Sequence, residues 1–215
     1  MGLKQQKSYR VVTKYVIMDK NQKRGRPKTF DREAILEIAM NNYWQKGLSV
    51  SLNSISEQAG VAKPSLYREF ENEDGLTLAA LNRYSELIGI RLNSILSSND
   101  SFLDKINALA QYFCQDACHN NGCLFVKMRS QIFKVGPKTK ARIEEIEQEM
   151  LKLYLEFFEQ YKNELKCNSH LSTQKAAKFV SSQFELALVQ SARGVSSKEV
   201  SAVLDISLAI FNAKS

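Results

Sequence analysis

The sequence has few of the residues that interrupt regular structure. It contains only 3 prolines and 9 glycines in 215 residues, which argues against a loop-rich or disordered chain. No apolar run approaches the roughly 18 residues that a membrane-spanning helix needs. The first residues are too polar for a signal peptide, and position 6 lacks the Ser or Thr of a myristoylation signal. We therefore expect a cytoplasmic protein with no membrane partner.

Groups that could serve catalysis are also scarce. The chain has two histidines, His119 and His170. It has no Gly-rich phosphate loop, nucleophile elbow or HExxH motif. A cysteine lies next to His119, but no third group completes a catalytic set. The sequence therefore predicts no enzyme activity and no cofactor.

Positive charge is concentrated at the N-terminus. The formal net charge is +7, and residues 1–32 hold ten Lys or Arg against two Asp. This segment therefore carries +8, and the remaining residues sum to −1. A basic arm, residues 1–28, would bind phosphates through counterion release, with Arg24, Arg26 and Lys28 as predicted contacts. The alternative is a solvated tail with no specific role.

Residues 53–70 have the pattern of a helix-turn-helix. Ile55 and Ala59 share one face of a first helix, and Gly60 supplies its C-cap. Pro64 falls in the first turn of a second helix, where a missing N–H costs little. Such a motif places its second helix in the major groove of DNA. The donors on that helix suited to phosphates and base edges are Lys63, Ser65, Tyr67 and Arg68.

An ordered set of residues extends this pattern on both sides. It comprises Ala39, Tyr43, Trp44, Gly47, Ile55, Ala59, Gly60, Val61, Lys63, Leu66, Tyr67 and Phe70. The set resembles the N-terminal signature of TetR/AcrR-type transcriptional regulators, over about a quarter of the chain. The resemblance implies a three-helix DNA-binding head, and a larger helical body that dimerises and usually binds an effector. It also implies that Ser51, Lys63, Pro64, Ser65, Tyr67 and Arg68 face DNA, with Tyr67 on a phosphate.

One residue departs from the family pattern. Many relatives carry a lysine just before the fourth helix, where it can reach the DNA backbone. Glu73 stands at that place here, and a carboxylate cannot bind phosphate. The marked basic arm is a candidate substitute for that lysine.

The periodicity of the rest of the chain predicts an all-α fold. We expect a basic arm (1–28), a helix-turn-helix domain (29–75) and a helical effector-binding and dimerisation domain (76–215). The expected helices are about Asp31–Lys46, one capped by Ser51, Lys63–Phe70, Asp74–Ser97, one through Phe102 and Phe113, one holding Leu124 and Met128, one opening at Pro137, Thr173–Arg193 and Ser197–Asn212. Ser196 and Glu199 fit a capping box for the last helix.

Apolar stripes mark the last two helices. In the family that it resembles, the corresponding pair forms a four-helix dimer interface. The resemblance therefore implies a homodimer, whereas the stripes alone fit an intramolecular core equally. The predicted interface residues are Phe184, Leu188, Val200, Leu204 and Leu208.

Three cysteines and a histidine lie within ten residues: Cys114, Cys118, His119 and Cys123. Cys123 is expected at a helix start, where the helix dipole would lower the thiol pKa and favour a reactive thiolate. The alternatives are a redox or electrophile sensor, a soft-metal site, or small buried residues in a reducing cytosol. The spacing is unlike that of structural zinc sites, so we predict no metal.

The body is expected to hold an effector pocket between the fourth and eighth helices. An aromatic-rich, charge-poor lining favours a small apolar or aromatic effector, although core packing alone would explain these residues. The predicted lining is Phe102, Phe113, Cys123, Phe125, Met128, Phe157 and Tyr161.

The function predicted on these grounds is a homodimeric repressor that its effector releases from double-stranded operator DNA. The alternative is a helix-turn-helix protein that a partner or cysteine oxidation regulates, with no small-molecule pocket.

Overall fold

The computed structural model describes residues 30–116, 122–167 and 171–212. Within these ranges the chain is helical and contains no strand, which confirms the all-α prediction. None of the helices there is long and apolar enough to cross a membrane. The α-helices of these ranges are α1 (Arg32–Lys46), α2 (Leu52–Ala59), α3 (Lys63–Phe70), α4 (Glu73–Leu96), α5 (Phe102–Gln111), α6 (Leu124–Ser130), α7 (Pro137–Gln160), α8 (Thr173–Ala192) and α9 (Ser197–Leu208).

Side-chain caps fix where several helices begin. Asp31 accepts a hydrogen bond from the backbone N–H of Ala34 at 3.1 Å, and Ser51 accepts one from Ser54 at 3.2 Å. Such caps satisfy N–H groups that have no partner inside the helix. The predicted bounds of α3 are confirmed, and so is the capping box of α9, which begins with Ser196.

Two α-helices end earlier in the structure than the sequence predicted. The α-helical part of α5 stops at Gln111, and a π-helical turn, Tyr112–Asp116, continues it. Likewise α9 ends at Leu208, where a short 3-10 turn takes over. Ends of this kind are common because the last turn of a helix tightens or widens easily.

The head, α1 to α3, packs around a small apolar core. Gly60 ends α2 with φ +66°, a left-handed conformation that glycine adopts without steric cost. Gly75 lies against the end of α3, and a Cβ there would be 1.8 Å from the carbonyl oxygen of Phe70. This close approach fixes the start of α4 relative to α3. The buried head side chains include Ile35, Leu36, Ala39, Tyr43, Ile55, Leu66 and Phe70.

The body is built on three long helices. α4 crosses the predicted boundary between residues 75 and 76 and connects head and body. α7 packs against α4 and α8, and α8 packs against α9. Aromatic rings fill one part of this core, where Phe102 lies with its ring centroid 5.5 to 5.9 Å from those of Phe157, Phe158, Tyr161 and Phe211.

Candidate nucleic-acid interface, cavity and dimer face

The outer face of α3 carries the polar residues of the head. Leu66 and Phe70 are buried on the side of α3 that packs against α2 and α4, whereas Lys63, Pro64 and Arg68 are exposed. This alternation follows the helical period, which places residues four apart on one side. α3 therefore presents its donors outward as a single surface.

Tyr67 stands at the centre of that surface. Its side chain is 40% exposed although it is large and partly apolar. The Nζ of Lys63 lies 5.7 Å from the centroid of its ring, within the range of a cation–π contact. This contact keeps a cation and a phenol hydroxyl together, and both can donate to a phosphate oxygen.

The other predicted DNA contacts have different positions. Ser65 is half-buried on α3. Ser51 is exposed, but its hydroxyl already accepts the capping hydrogen bond of α2. The remaining three predicted contacts, Arg24, Arg26 and Lys28, lie outside the described residues, as does the whole arm of residues 1–28.

A cavity of about 650 Å³ lies in the body between α4, α6, α7 and α8. This volume falls within the range typical of small-molecule sites. The residues of α4 that line the cavity, such as Leu81, Tyr84, Ile88 and Leu92, recur every three or four positions and so lie on one face of the helix. The apolar lining is Leu81, Ile88, Leu92, Phe113, Phe125, Val126, Ile146, Met150, Leu151, Leu153, Phe184 and Leu188, and polar side chains such as Tyr84 and Tyr154 interrupt it.

Charged side chains also line the cavity, contrary to the expected charge-poor lining. Arg129 of α6 donates to Glu185 of α8 and, at 2.8 Å, to Glu147 of α7. Burial alone would lower the pKa of Arg129, but these two carboxylates hold it above its usual value. The side chains are 26 to 45% exposed, so this cluster lies at the solvent side and connects three helices.

The residues predicted to line an effector pocket fall into two groups in the structure. Phe113, Cys123 and Phe125 line the cavity. Phe102, Phe157 and Tyr161 instead contact one another in the aromatic part of the core. Met128 is completely buried outside the lining. Apolar periodicity identified buried residues correctly, but it does not distinguish a core from a cavity wall.

The prediction that the pKa of the Cys123 thiol is lowered, which would make it reactive, is wrong. Cys123 is the N-cap of α6, so it does lie at the positive end of a helix. Burial raises the pKa of its thiol nevertheless, and this outweighs a hydrogen bond from the Tyr84 hydroxyl at 3.4 Å, backbone N–H groups and the charge of Arg129. Cys114 is buried as well, and its pKa is also raised by burial. Cys118 and His119 lie outside the described residues.

Asp74, for which the sequence predicts only a place at the start of α4, connects the head to the body. Its carboxylate accepts from the backbone N–H groups of Lys138 and Thr139 at 2.9 and 3.0 Å, and from the Thr139 hydroxyl at 2.5 Å. It therefore caps α7 from another helix. Burial alone would raise the pKa of Asp74, but the hydrogen bonds from Thr139 and Lys138 keep it below the ordinary value.

A second contact between head and body involves Trp44 of α1. Its indole Nε1 donates to the carbonyl of Gly122, and its own carbonyl accepts from the Lys127 Nζ at 2.7 Å. Its ring meets that of Tyr84 edge-on, with centroids 5.5 Å apart. Because Tyr84 lines the cavity, its contact with Trp44 connects the head to the cavity wall.

The five predicted dimer-interface residues face the interior of a single chain. Phe184, Leu188, Val200, Leu204 and Leu208 are between 1 and 6% exposed. These side chains form the packing of α8 and α9 against each other and against the rest of the body. The prediction that they are exposed to a second copy is therefore corrected. A different set of apolar side chains is exposed on the outside of these helices: Leu186, Val203 and Ile206, with Ile210 just beyond α9. We call this set the outer apolar face.

The fold and these surfaces define a class: an all-helical protein with a helix-turn-helix head and a helical body that holds a cavity. Residues 35–80 match the family model for bacterial regulatory proteins of the tetR family. This match covers the head and the first part of α4.

Two curated relatives have similar sequences. The HTH-type transcriptional repressor ComR of Escherichia coli (strain K12) is 41% identical over 91 residues, which is 42% of each chain. The HTH-type transcriptional repressor BdcR of the same organism is 30% identical over 121 residues, 54% of this chain and 59% of that protein. The chain thus spans about half the length of the curated relatives it matches.

Solved structures share the fold over most of the chain. Escherichia coli NemR in its reduced form has a TM-score of 0.72 at 20% identity, covering 83% of this chain and 96% of that one. A cysteine mutant of the TetR family regulator CifR, complexed with 26-bp double-strand operator DNA, has a TM-score of 0.72 at 22% identity, covering 89% and 100%. At these identities the similarity shows a shared fold.

Proposed function

We propose that this protein is a transcriptional repressor that binds double-stranded operator DNA as a homodimer. The observation that carries the proposal is the outward face of α3, where Lys63, Tyr67 and Arg68 are exposed while Leu66 and Phe70 anchor the helix. The names of ComR and BdcR, both transcriptional repressors, support it. So does the operator DNA in the CifR complex.

The outer apolar face supports the dimer. Ile206 is 78% exposed and Leu186 and Val203 are 44 and 45% exposed. A group of exposed large apolar side chains on two adjacent helices is typical of an interface between chains. We propose that it packs on the same face of a second copy, because a two-fold axis makes the two patches self-complementary. The two recognition helices would then read half-sites about 34–36 Å apart.

The cavity supports control by a small molecule. α4 and α7 both line it, and both meet at Asp74, shortly after the end of α3 at Phe70. A ligand that favours a different packing of α4 and α7 would change the spacing of the two heads. DNA affinity would fall by the ligand's differential affinity for the two arrangements.

The alternative, regulation without a small-molecule pocket, has less support. A cavity of about 650 Å³ is present. Cysteine oxidation needs an accessible thiolate, whereas Cys123 is buried with a raised pKa. Regulation by a protein partner stays compatible with the DNA-binding part of the proposal.

Selection of bound duplexes from a random pool tests the DNA-binding proposal. We expect the full chain to enrich an inverted repeat, and Tyr67→Ala to enrich the same repeat much more weakly. Lys152→Ala on α7, a change at a lysine with a 76% exposed side chain, is the control and should select the same sequence. Enrichment of no sequence by the wild type would contradict the proposal.

A further inference from the structure

The inner wall of the cavity contains a tyrosine hydroxyl that lacks a partner. Tyr154 of α7 lines the cavity and is only 2% exposed. Within the described ranges, its ring packs beside Phe184, but its hydroxyl makes no hydrogen bond. The neighbouring Tyr84 differs, since its hydroxyl donates to the Cys123 sulfur at 3.4 Å. The Tyr154 hydroxyl is therefore a donor that the cavity offers to a bound molecule, in addition to the polar side chains of Ser85, Asn93, Ser181 and Ser182.

The Tyr154 hydroxyl is open to the cavity, because it is not among the fully enclosed, unpartnered side-chain oxygens of the described residues, whereas Ser191 Oγ is. An oxygen of a molecule bound in the cavity can therefore accept a hydrogen bond from Tyr154. Burial raises the pKa of Tyr154 far above its ordinary value, so the group keeps its proton at neutral pH and acts as a donor.

The charged groups of the cavity argue against a charged ligand. Arg129 is already bound to two carboxylates. Glu149 is held by Arg142, with nitrogen–oxygen distances of 2.7 and 3.1 Å. Lys178 borders the cavity as well, but it is exposed, so its charge stays hydrated. A carboxylate on a ligand would have to displace one of the paired carboxylates, and a charge placed deeper would lose its hydration without a counterion.

We propose that the cavity binds a neutral, mostly apolar molecule that carries one oxygen acceptor, and that Tyr154 donates a hydrogen bond to that oxygen. The inference rests on the proposed function, in which this cavity is the effector site. It adds the chemistry of the effector: an apolar body small enough for about 650 Å³, and a carbonyl or hydroxyl oxygen at the Tyr154 end.

A matched pair of probes tests this directly. 2-Acetylnaphthalene and 2-isopropenylnaphthalene have nearly the same planar shape and differ in C=O against C=CH2. Binding to the full chain is measured by calorimetry, or by the fluorescence of Trp44, the single tryptophan, whose ring contacts Tyr84. The measured quantity is the ratio of the two dissociation constants, because it cancels the shared apolar contribution.

We expect this ratio to favour the ketone about tenfold more in the wild type than in Tyr154→Phe, the effect of one net hydrogen bond. Tyr161→Phe is the control, since its hydroxyl is bonded to Lys105 at 2.9 Å outside the cavity lining, and it should keep the wild-type ratio. 2-Naphthoate should bind at least tenfold more weakly than the ketone.

An equal ratio in wild type and Tyr154→Phe would overturn the inference, and so would tightest binding by 2-naphthoate. If Tyr154→Phe does not fold, the carbonyl stretch of the labelled ketone decides the matter in the wild type. A frequency as high as in an alkane solvent would mean no hydrogen bond. If none of the probes binds while operator DNA does, the inference fails and the DNA-binding proposal stands. If no DNA is selected, the proposed function fails independently.

Discussion

The protein has two exposed faces of opposite chemistry, one on α3 of the head and one on α8 and α9 of the body. The face of α3 presents Lys63, Tyr67 and Arg68, and the outer apolar face presents leucine, valine and isoleucine. A donor-rich surface keeps its hydration until it meets an anion, whereas an apolar surface gains free energy by leaving water. The first therefore suits DNA and the second suits another protein surface.

The comparison predicts that the largest loss follows from a charge on the outer apolar face. Ile206→Glu should leave the fold intact, because the side chain is 78% exposed in the single chain. In a two-fold dimer it would bury two carboxylates at a cost of several kcal/mol. Sedimentation should show a folded monomer, and operator affinity should fall by about 100-fold or more.

Leu204→Ala is the matched control for the opposite side of α9. Leu204 is 2% exposed, so its truncation should lower the free energy of unfolding by about 2–5 kcal/mol without dissociating the dimer. If Ile206→Glu stays dimeric, or if Leu204→Ala alone dissociates, the outer apolar face is not the interface.

A smaller effect is expected on the DNA-binding face. Tyr67→Ala and Lys63→Ala should each weaken operator binding by about ten- to a hundredfold, since one good contact is worth about 1–3 kcal/mol. Thermal stability and dimerisation should not change. Gel-shift titration beside Lys152→Ala measures this, and unchanged affinity would remove the residue in question from the DNA-facing set.

A still smaller effect is expected from a substitution at the contact between head and body. Asp74→Ala removes the cap of α7 and should cost about 0.5–2 kcal/mol of unfolding free energy. The pKa of Asp74 is below its ordinary 3.8 in the folded state. Its contribution is therefore present above that pH and is lost as the pH falls through the folded value. Denaturant titrations should show the two proteins converging in acid, and a pH-independent difference would contradict this.

The effect that depends least on DNA sequence is expected from deleting the basic arm, residues 1–28, which holds nine cations. Its deletion should weaken binding to all DNA sequences by a similar factor. The slope of log K against log salt should flatten by about 0.9 for each phosphate that the arm neutralises in the intact protein. An unaltered slope would identify the arm as a solvated tail.

The sequence predicted the head better than the body. In a short helix such as α3, the only large apolar side chains on one face are Leu66 and Phe70, so the sequence pattern identifies the buried face without ambiguity. In α8 and α9 both faces carry apolar residues, so periodicity could not decide which one the chain buries. The cavity side of α4 follows helical spacing at Leu81, Tyr84 and Ile88, a signal that could have found it.

Contacts between distant residues were beyond the reach of sequence patterns. Asp74 and Thr139 are 65 positions apart, and nothing in either segment predicts the other. The pKa of Cys123 depends in the same way on burial and on Tyr84, 39 positions away. A helix start alone predicted the wrong direction because burial is a property of the assembled fold.

The mass of the complex on a selected operator duplex tests the central claim, that α3 binds DNA while the outer apolar face joins two copies. Sedimentation of the labelled duplex at saturating protein measures it. The account predicts two copies on one inverted repeat for the wild type, and a large loss of binding for Ile206→Glu. A single copy that binds one half-site with full affinity, unaffected by Ile206→Glu, would contradict it.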